Sequence, residues 1–161
     1  MNVRVLLISS SIYCVLFLSL IAAAQSKKSS SDNLARTLLT QSFNSTNELS
    51  NALTQSFSDD SEKVRSIFIF ITHAIEYDVN KRVFFARINN DTTQTATYTL
   101  RKRKAVCEGY ANLFKELCLN AGIKSEFIGG YARNEGEYIS YPHAWNTAFI
   151  NGEWKLFDPT W

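Results

Sequence analysis

The sequence predicts an α+β fold, and three observations carry that prediction. Val64, Ile67, Phe68, Ile71, Ala74 and Ile75 recur at helical steps, and Ala111, Phe114, Leu117, Cys118 and Ala121 repeat the pattern before Gly122. Beyond Gly122 the character changes to alternating strands, and Asn151-Gly152 stands between two apolar runs as a hairpin turn. Helices first and strands later is the order of a fold with segregated elements. The 161 residues suit one domain, and no fixed period marks a repeat.

Residues 1–24 read as an export signal. Arg4 supplies a positive start, Val5 to Ile21 form an apolar run broken only by serines, and Ala22-Ala23-Ala24 offers the small residues that cleavage requires. An uncleaved membrane anchor is the competing reading, since the run nears the roughly 18 to 20 residues that span a bilayer. Cleavage after Ala24 is the expectation, with a secreted or periplasmic product that has no membrane contact once the signal is gone.

Composition excludes more than it suggests. The chain is 45% hydrophobic, with 17 basic and 15 acidic residues and a net charge of +2, so it is neither disordered nor a polyanion binder. Loss of Arg4 with the signal brings the charge to +1 and names no partner. The run Arg101-Lys102-Arg103-Lys104 reads as a solvated loop face in an exported chain, so no nucleic-acid partner is expected. Asn44-Ser45-Thr46 and Asn90-Asp91-Thr92 are sequons that matter only in a eukaryotic secretory pathway. The sequence contains no glycine-rich phosphate loop, no zinc-ligand spacing and no clustered acidic loop for calcium, so neither a metal nor another cofactor is expected.

Residues 25–57 divide into a polar lead-in, SKKSSS at Ser26–Ser31, and a weak helical pattern through Leu34, Leu38, Leu49, Leu53 and Phe57. A stronger helix is expected from capping residues at Ser58 to Asp60 to near Tyr77, opening a core over 58–161. His73 on that helix has only Glu76 at helical spacing and reads as structural. Residues 78–104 lack clean periodicity apart from Val83, Phe84 and Phe85, and read as a long approach to Cys107. Strand character is expected over Lys124 to Arg133, with a polar tip at Asn134 to Glu137.

Cysteine is the informative part of the composition. Cys107 and Cys118 remain after cleavage, in a compartment that favours disulfides. Eleven helical residues separate them by roughly 16 Å, beyond the roughly 7 Å between Cα atoms that a disulfide tolerates. Cys118 falls on the apolar helix face and reads as a small buried hydrophobe. Cys107 falls at the helix start, where unpaired backbone N–H groups, the macrodipole and the preceding basic run favour a thiolate. That environment makes a nucleophile.

The hairpin supplies a base. A two-residue type I′ turn at Asn151-Gly152 sets residue 150 opposite 153, hence Trp145 opposite Asp158 and His143 opposite Thr160. His143, Trp145, Thr147 and Phe149 then share a face with Trp154, Leu156, Asp158 and Thr160, and that face is the apolar one. His143 and Asp158 become diagonal neighbours about 7 to 8 Å apart at the backbone, a span their side chains close. Such a bond fixes the imidazole and leaves its other nitrogen for a thiol. A register slip of one residue would place the pair on opposite faces.

With AVCEGYANLFKELCLNAGI, YPHAWNTAFINGEWKLFDPTW and the upstream EKVRSIFIFITHAIEYD, the chain resembles the transglutaminase-like superfamily of papain-like folds, with transglutaminase- and kyphoscoliosis-peptidase-type core domains. The resemblance covers roughly residues 58–161. It implies a papain-like core in which N-terminal helices, the nucleophile at a helix start, pack on an antiparallel sheet. Cys107 matches the nucleophile, His143 the base and Asp158 the residue that orients it. The implied function is a thiol enzyme that hydrolyses amides or transfers acyl groups on protein or peptide substrates through a thioester; the alternative is an idle binding or scaffold module. Relatives place an aromatic or amide side chain upstream as an oxyanion donor. No Trp precedes Cys107, so Gln94 and Tyr98 are the candidates. The family core continues beyond the position of Trp161, and a core cut short at its C-terminus is the expectation.

Overall fold

The computed structural model describes residues 30–82, 92–134, 136–138 and 142–160. The expected signal at 1–24, most of the lead-in, the Val83–Phe85 patch, the Asn90 sequon and Trp161 lie outside the described residues.

Two short helices, α1 (30–37) and α2 (Thr46–Thr54), come first. Ser45 caps α2, its side chain accepting from the Glu48 N–H. Leu49 and Leu53 of α2 and Ala35 and Leu38 of the α1 region are buried in the same core as the later helices, so the packed body starts upstream of residue 58. The next helix, α3, runs Asp60–Ala74 behind the Asp59 cap and stops short of the expected Tyr77. There the backbone is drawn out as β1 (Glu76–Tyr77), which pairs in parallel with β2 (Lys104–Ala105). This pairing ties the end of α3 to the approach to Cys107.

The described parts of the approach hold short elements that the sequence pattern does not mark. After a one-turn helix α4 (Val79–Arg82), a 3-10 turn at Thr92–Gln94 leads into α5 (Ala96–Lys102), capped by Thr95 and closed by Arg103 at φ 53°. Then α6 (Cys107–Asn120) begins immediately after β2. Gly122, at φ 78°, ends it as expected, and the Ile123 N–H returns to the Cys118 carbonyl at 2.9 Å. Phe114, Leu113 and Leu117 of α6 meet Phe70, Ile67 and Ile71 of α3 in the centre of the core.

A three-stranded antiparallel sheet lies against α6 in the order β3 (Ser125–Gly130), β6 (His143–Ile150), β7 (Glu153–Phe157). The expected strand over Lys124 to Arg133 is divided: β3 stops at Gly130, and a separate arm, β4 (Arg133–Asn134) with β5 (Glu137–Tyr138), flanks the polar tip. The β6–β7 hairpin has the register its turn dictates, Phe149 opposite Trp154 and Asn146 opposite Phe157. Asn151 and Gly152 both hold positive φ, 53° and 86°, as a type I′ turn requires.

The hairpin face read as the apolar one is not the face that lies on α6. The side of the hairpin that packs on α6 is the alternate one, with Ala144, Asn146, Ala148 and Ile150 buried and Phe157 stacked on Phe114 at 5.3 Å. The more aromatic side faces outward, leaving Trp154 52% and Leu156 71% exposed. Ala144 and Ala148 explain the choice: small side chains let the helix approach, whereas a row of Trp and Phe would hold it off.

Candidate active site

The site is built where the start of α6 meets one end of β6. Cys107 is the first residue of α6, and the N-cap before it, Val106, makes no side-chain cap bond. The Gly109 and Tyr110 N–H groups return to the Val106 carbonyl at 2.9 and 3.2 Å, and the Cys107 thiol stands at the positive end of the helix macrodipole. Gln94 is buried beneath the turn. Its Oε1 accepts the Val106 N–H at 3.2 Å, and its main-chain carbonyl accepts from Asn112 Nδ2 at 2.9 Å. Gly109 is required by this close approach: a Cβ there would lie 2.6 Å from both Ala105 Cβ and Thr99 Oγ1 and 2.8 Å from Gln94 Oε1.

Across from the thiol, His143 Nε2 and Asp158 Oδ2 are 2.6 Å apart. Asp158 follows β7 directly, and its Oδ1 accepts the Thr160 N–H at 3.1 Å, which fixes the carboxylate. The Trp145 ring lies over the imidazole, centroids 5.8 Å apart at 30°. It also covers Gly130, where a Cβ would come within 2.8 Å of the indole. His143 makes a further hydrogen bond with Cys107, so the imidazole stands between thiol and carboxylate. Cys107 is 8% and His143 7% exposed.

The electrostatics follow from this order. The hydrogen bond to Asp158, then the bond to Cys107, raise the His143 pKa to about 9 against the opposing effect of burial. The imidazole is a cation at neutral pH, beside a thiol at a helix N-terminus. Cys118 has the opposite environment: wholly buried in the core, its thiol is pushed up to about 12 by burial. Both cysteines are free.

The structure therefore brings Cys107, His143 and Asp158 together and keeps Cys118 and His73 away from them. His73 Nδ1 is 2.9 Å from the Ile69 carbonyl on its own helix. The basic run contributes less to the thiol than its sequence position suggests. Arg103 donates to the Gln41 carbonyl at 2.7 Å and lies over Phe70, while Lys104 pairs with Glu76 at 3.0 Å. Of the two oxyanion candidates, Gln94 is engaged with Val106 and Thr93, and Tyr98 is on the exposed side of α5 below Lys102. Gly109 and Asn146 carry site geometry that sequence reasoning missed; a glycine inside a helix and an amide inside a buried strand were the available signals. A groove of about 440 Å³ between α3 and β7 is lined by Arg65, Phe68, Leu156 and Asp158 and reaches the carboxylate end of the site. Among the described residues no group of three or more His, Cys, Asp or Glu could hold a metal ion.

Comparison with known proteins agrees with this arrangement of elements. A family model described as the transglutaminase-like superfamily matches residues 47–159. The kyphoscoliosis peptidase of Mus musculus is 37% identical over 121 residues, and that of Homo sapiens 36% over 120; each alignment covers 71% of this chain and 18% of the relative. The chain thus corresponds to under a fifth of those proteins' length. Among solved structures, the periplasmic domain of TgpA from Pseudomonas aeruginosa superposes with a TM-score of 0.56 at 19% identity, over 80% of this chain and 49% of that one. That likeness is one of fold.

Proposed function

Because the chain belongs to the transglutaminase-like superfamily, we propose that it is a thiol enzyme acting on protein or peptide substrates, with Cys107 as nucleophile, His143 as general base and acid, and Asp158 orienting His143. One observation supports this reading above the others: a single imidazole joins a helix-start thiol on one side to a carboxylate at 2.6 Å on the other.

In the proposed cycle, the Cys107 thiolate attacks a carboxamide or peptide carbonyl, and the Cys107 backbone N–H at the helix start faces the developing oxyanion. His143, already protonated, gives its proton to the departing amine or ammonia as the tetrahedral intermediate collapses to a thioester. Neutral His143 then takes a proton from water or an acceptor amine that attacks the thioester, and releases the acid or new amide with the thiolate restored. Asp158 keeps the Nε2 side of the ring occupied throughout, so the other nitrogen, Nδ1, is the one that exchanges protons with the thiol. Hydrolysis is the favoured outcome within this reading. Export is part of the proposal too: the apolar run Val5–Ile21 before Ala22-Ala23-Ala24 supports cleavage after Ala24 and a secreted or periplasmic enzyme.

Iodoacetamide labelling with site mapping tests the chemistry. Cys107 should label far faster than Cys118, and His143→Ala should slow Cys107 at neutral pH by about 10- to 100-fold, because the imidazolium that stabilises its thiolate is lost. Equal labelling of the two cysteines, or no effect of His143→Ala, leaves an idle scaffold instead. Ammonia release from a glutamine peptide, with and without an added amine, separates hydrolase from crosslinker. The N-terminal residue of the secreted product checks the cleavage site.

A further inference from the structure

Cys107 and His143 lie on different elements, and near the site those elements touch through small side chains: Cys107, Ala111 and Ala144 form a cluster of their own. Dispersion contacts between such groups are non-directional. They hold α6 against β6 without fixing where along the strand it rests. Asn146 supplies the missing direction. It is 0% exposed, shares the helix-facing side of β6 with Ala144, and its Nδ2 donates to the Ala111 carbonyl of α6 at 3.0 Å and to the Glu126 carbonyl of β3 at 3.3 Å. Two carbonyl partners settle the orientation of the amide. Among the described residues its Oδ1 meets no hydrogen-bond partner. A buried amide oxygen left without a partner carries a desolvation cost that works against the two Nδ2 bonds.

Ala111 is one helical turn from Cys107, about 6 Å along the axis, and Asn146 is three strand residues from His143, about 10 Å. We propose that Asn146 is a positioning residue for the site, setting the register of the Cys107 helix on the His143 strand through its bond to the Ala111 carbonyl. The proposal rests on the thiol–imidazole reading above. A slide of about 1 Å takes a sulfur out of hydrogen-bond reach of an imidazole and is enough to cost a reaction about two orders of magnitude.

The test uses the full chain with Asn146→Leu, which keeps the branched four-atom side chain and removes the donor, and Asn146→Ala, which removes the donor without added bulk. Two properties are read: the thermal unfolding midpoint, and the rate of iodoacetamide addition at Cys107 across pH 5 to 10. The expected result is a folded Asn146→Leu protein whose Cys107 rate at pH 6 is lower by about 10- to 100-fold. Its pH profile should rise like that of an ordinary thiol, in place of the acid-side plateau expected of a thiolate–imidazolium pair. If either variant folds and keeps the wild-type rate and plateau, the proposal is overturned. If neither folds, Asn146 is a stability determinant, and the positioning role is likewise rejected. The two readings fail separately: an inert His143→Ala removes the enzyme reading, whereas a large His143→Ala effect with inert Asn146 variants removes only this one.

Discussion

His143 couples the site to the stability of the whole chain. Its pKa is about 9 in the folded protein against about 6.5 unfolded, so the folded state binds its proton more tightly. The corresponding stabilisation, on the order of 3 kcal/mol, is fully present below pH 6.5 and is lost as pH rises through 9. Urea titrations at pH 6, 7.5 and 9.5 should show that fall. His143→Gln should flatten the dependence, and an unchanged slope in that variant would assign the effect to another group. Tyr110 offers a second measurement on one residue. Its hydroxyl donates to the Ile75 carbonyl at 2.6 Å, and burial pushes its pKa up to about 12. Tyr110→Phe leaves that carbonyl unpaired, and chemical denaturation should record a loss of about 1 to 2 kcal/mol.

At the scale of elements, two contacts decide whether the site exists. The first turn of α6 reaches Ala105, Thr99 and Gln94 only because residue 109 has no Cβ. Gly109→Ala gains intrinsic helix propensity of about 1 kcal/mol, yet should lower the unfolding midpoint and slow Cys107 alkylation, because overpacking at 2.6 Å outweighs that gain. A midpoint above wild type would show that the turn yields freely. The β6–β7 hairpin is the second contact. Inserting one glycine between Asn151 and Gly152 should shift every residue after the turn to the other face, part His143 from Asp158 and abolish fast Cys107 labelling. The sides of the hairpin also differ in weight. Phe157→Ala, removing the ring stacked on Phe114, should cost about 3 kcal/mol, whereas Trp154→Ala on the open side should cost under about 1 kcal/mol.

For the molecule as a whole, Cys107 and Cys118 report different events. Cys118 is enclosed by the core that α2, α3 and α6 share, so a thiol reagent reaches it only when that core opens. Its labelling rate should track global unfolding across a urea series and stay below that of Cys107 by at least about 1,000-fold in water. Labelling that ignores urea would indicate a local opening around α6.

Features that rest on short-range rules are legible in the amino-acid sequence alone. Cys107 at a helix start, Gly122 at its end, and His143 paired with Asp158 across an Asn-Gly turn each follow from backbone conformations that a few neighbouring residues enforce: a left-handed glycine, a cap, a period of two. Where the outcome depends on what lies across the core, the same reasoning stopped short. Ala74 ends α3 because Glu76 and Tyr77 pair with Lys104 and Ala105, residues distant in sequence. Arg103 turns from the thiol because the Gln41 carbonyl and the Phe70 ring receive it. Which side of the hairpin is buried depends on packing across the core: hydrophobicity favours the side of Trp145 and Trp154, but a helix must lie close over the sheet, and steric fit gave that place to Ala144, Asn146 and Ala148.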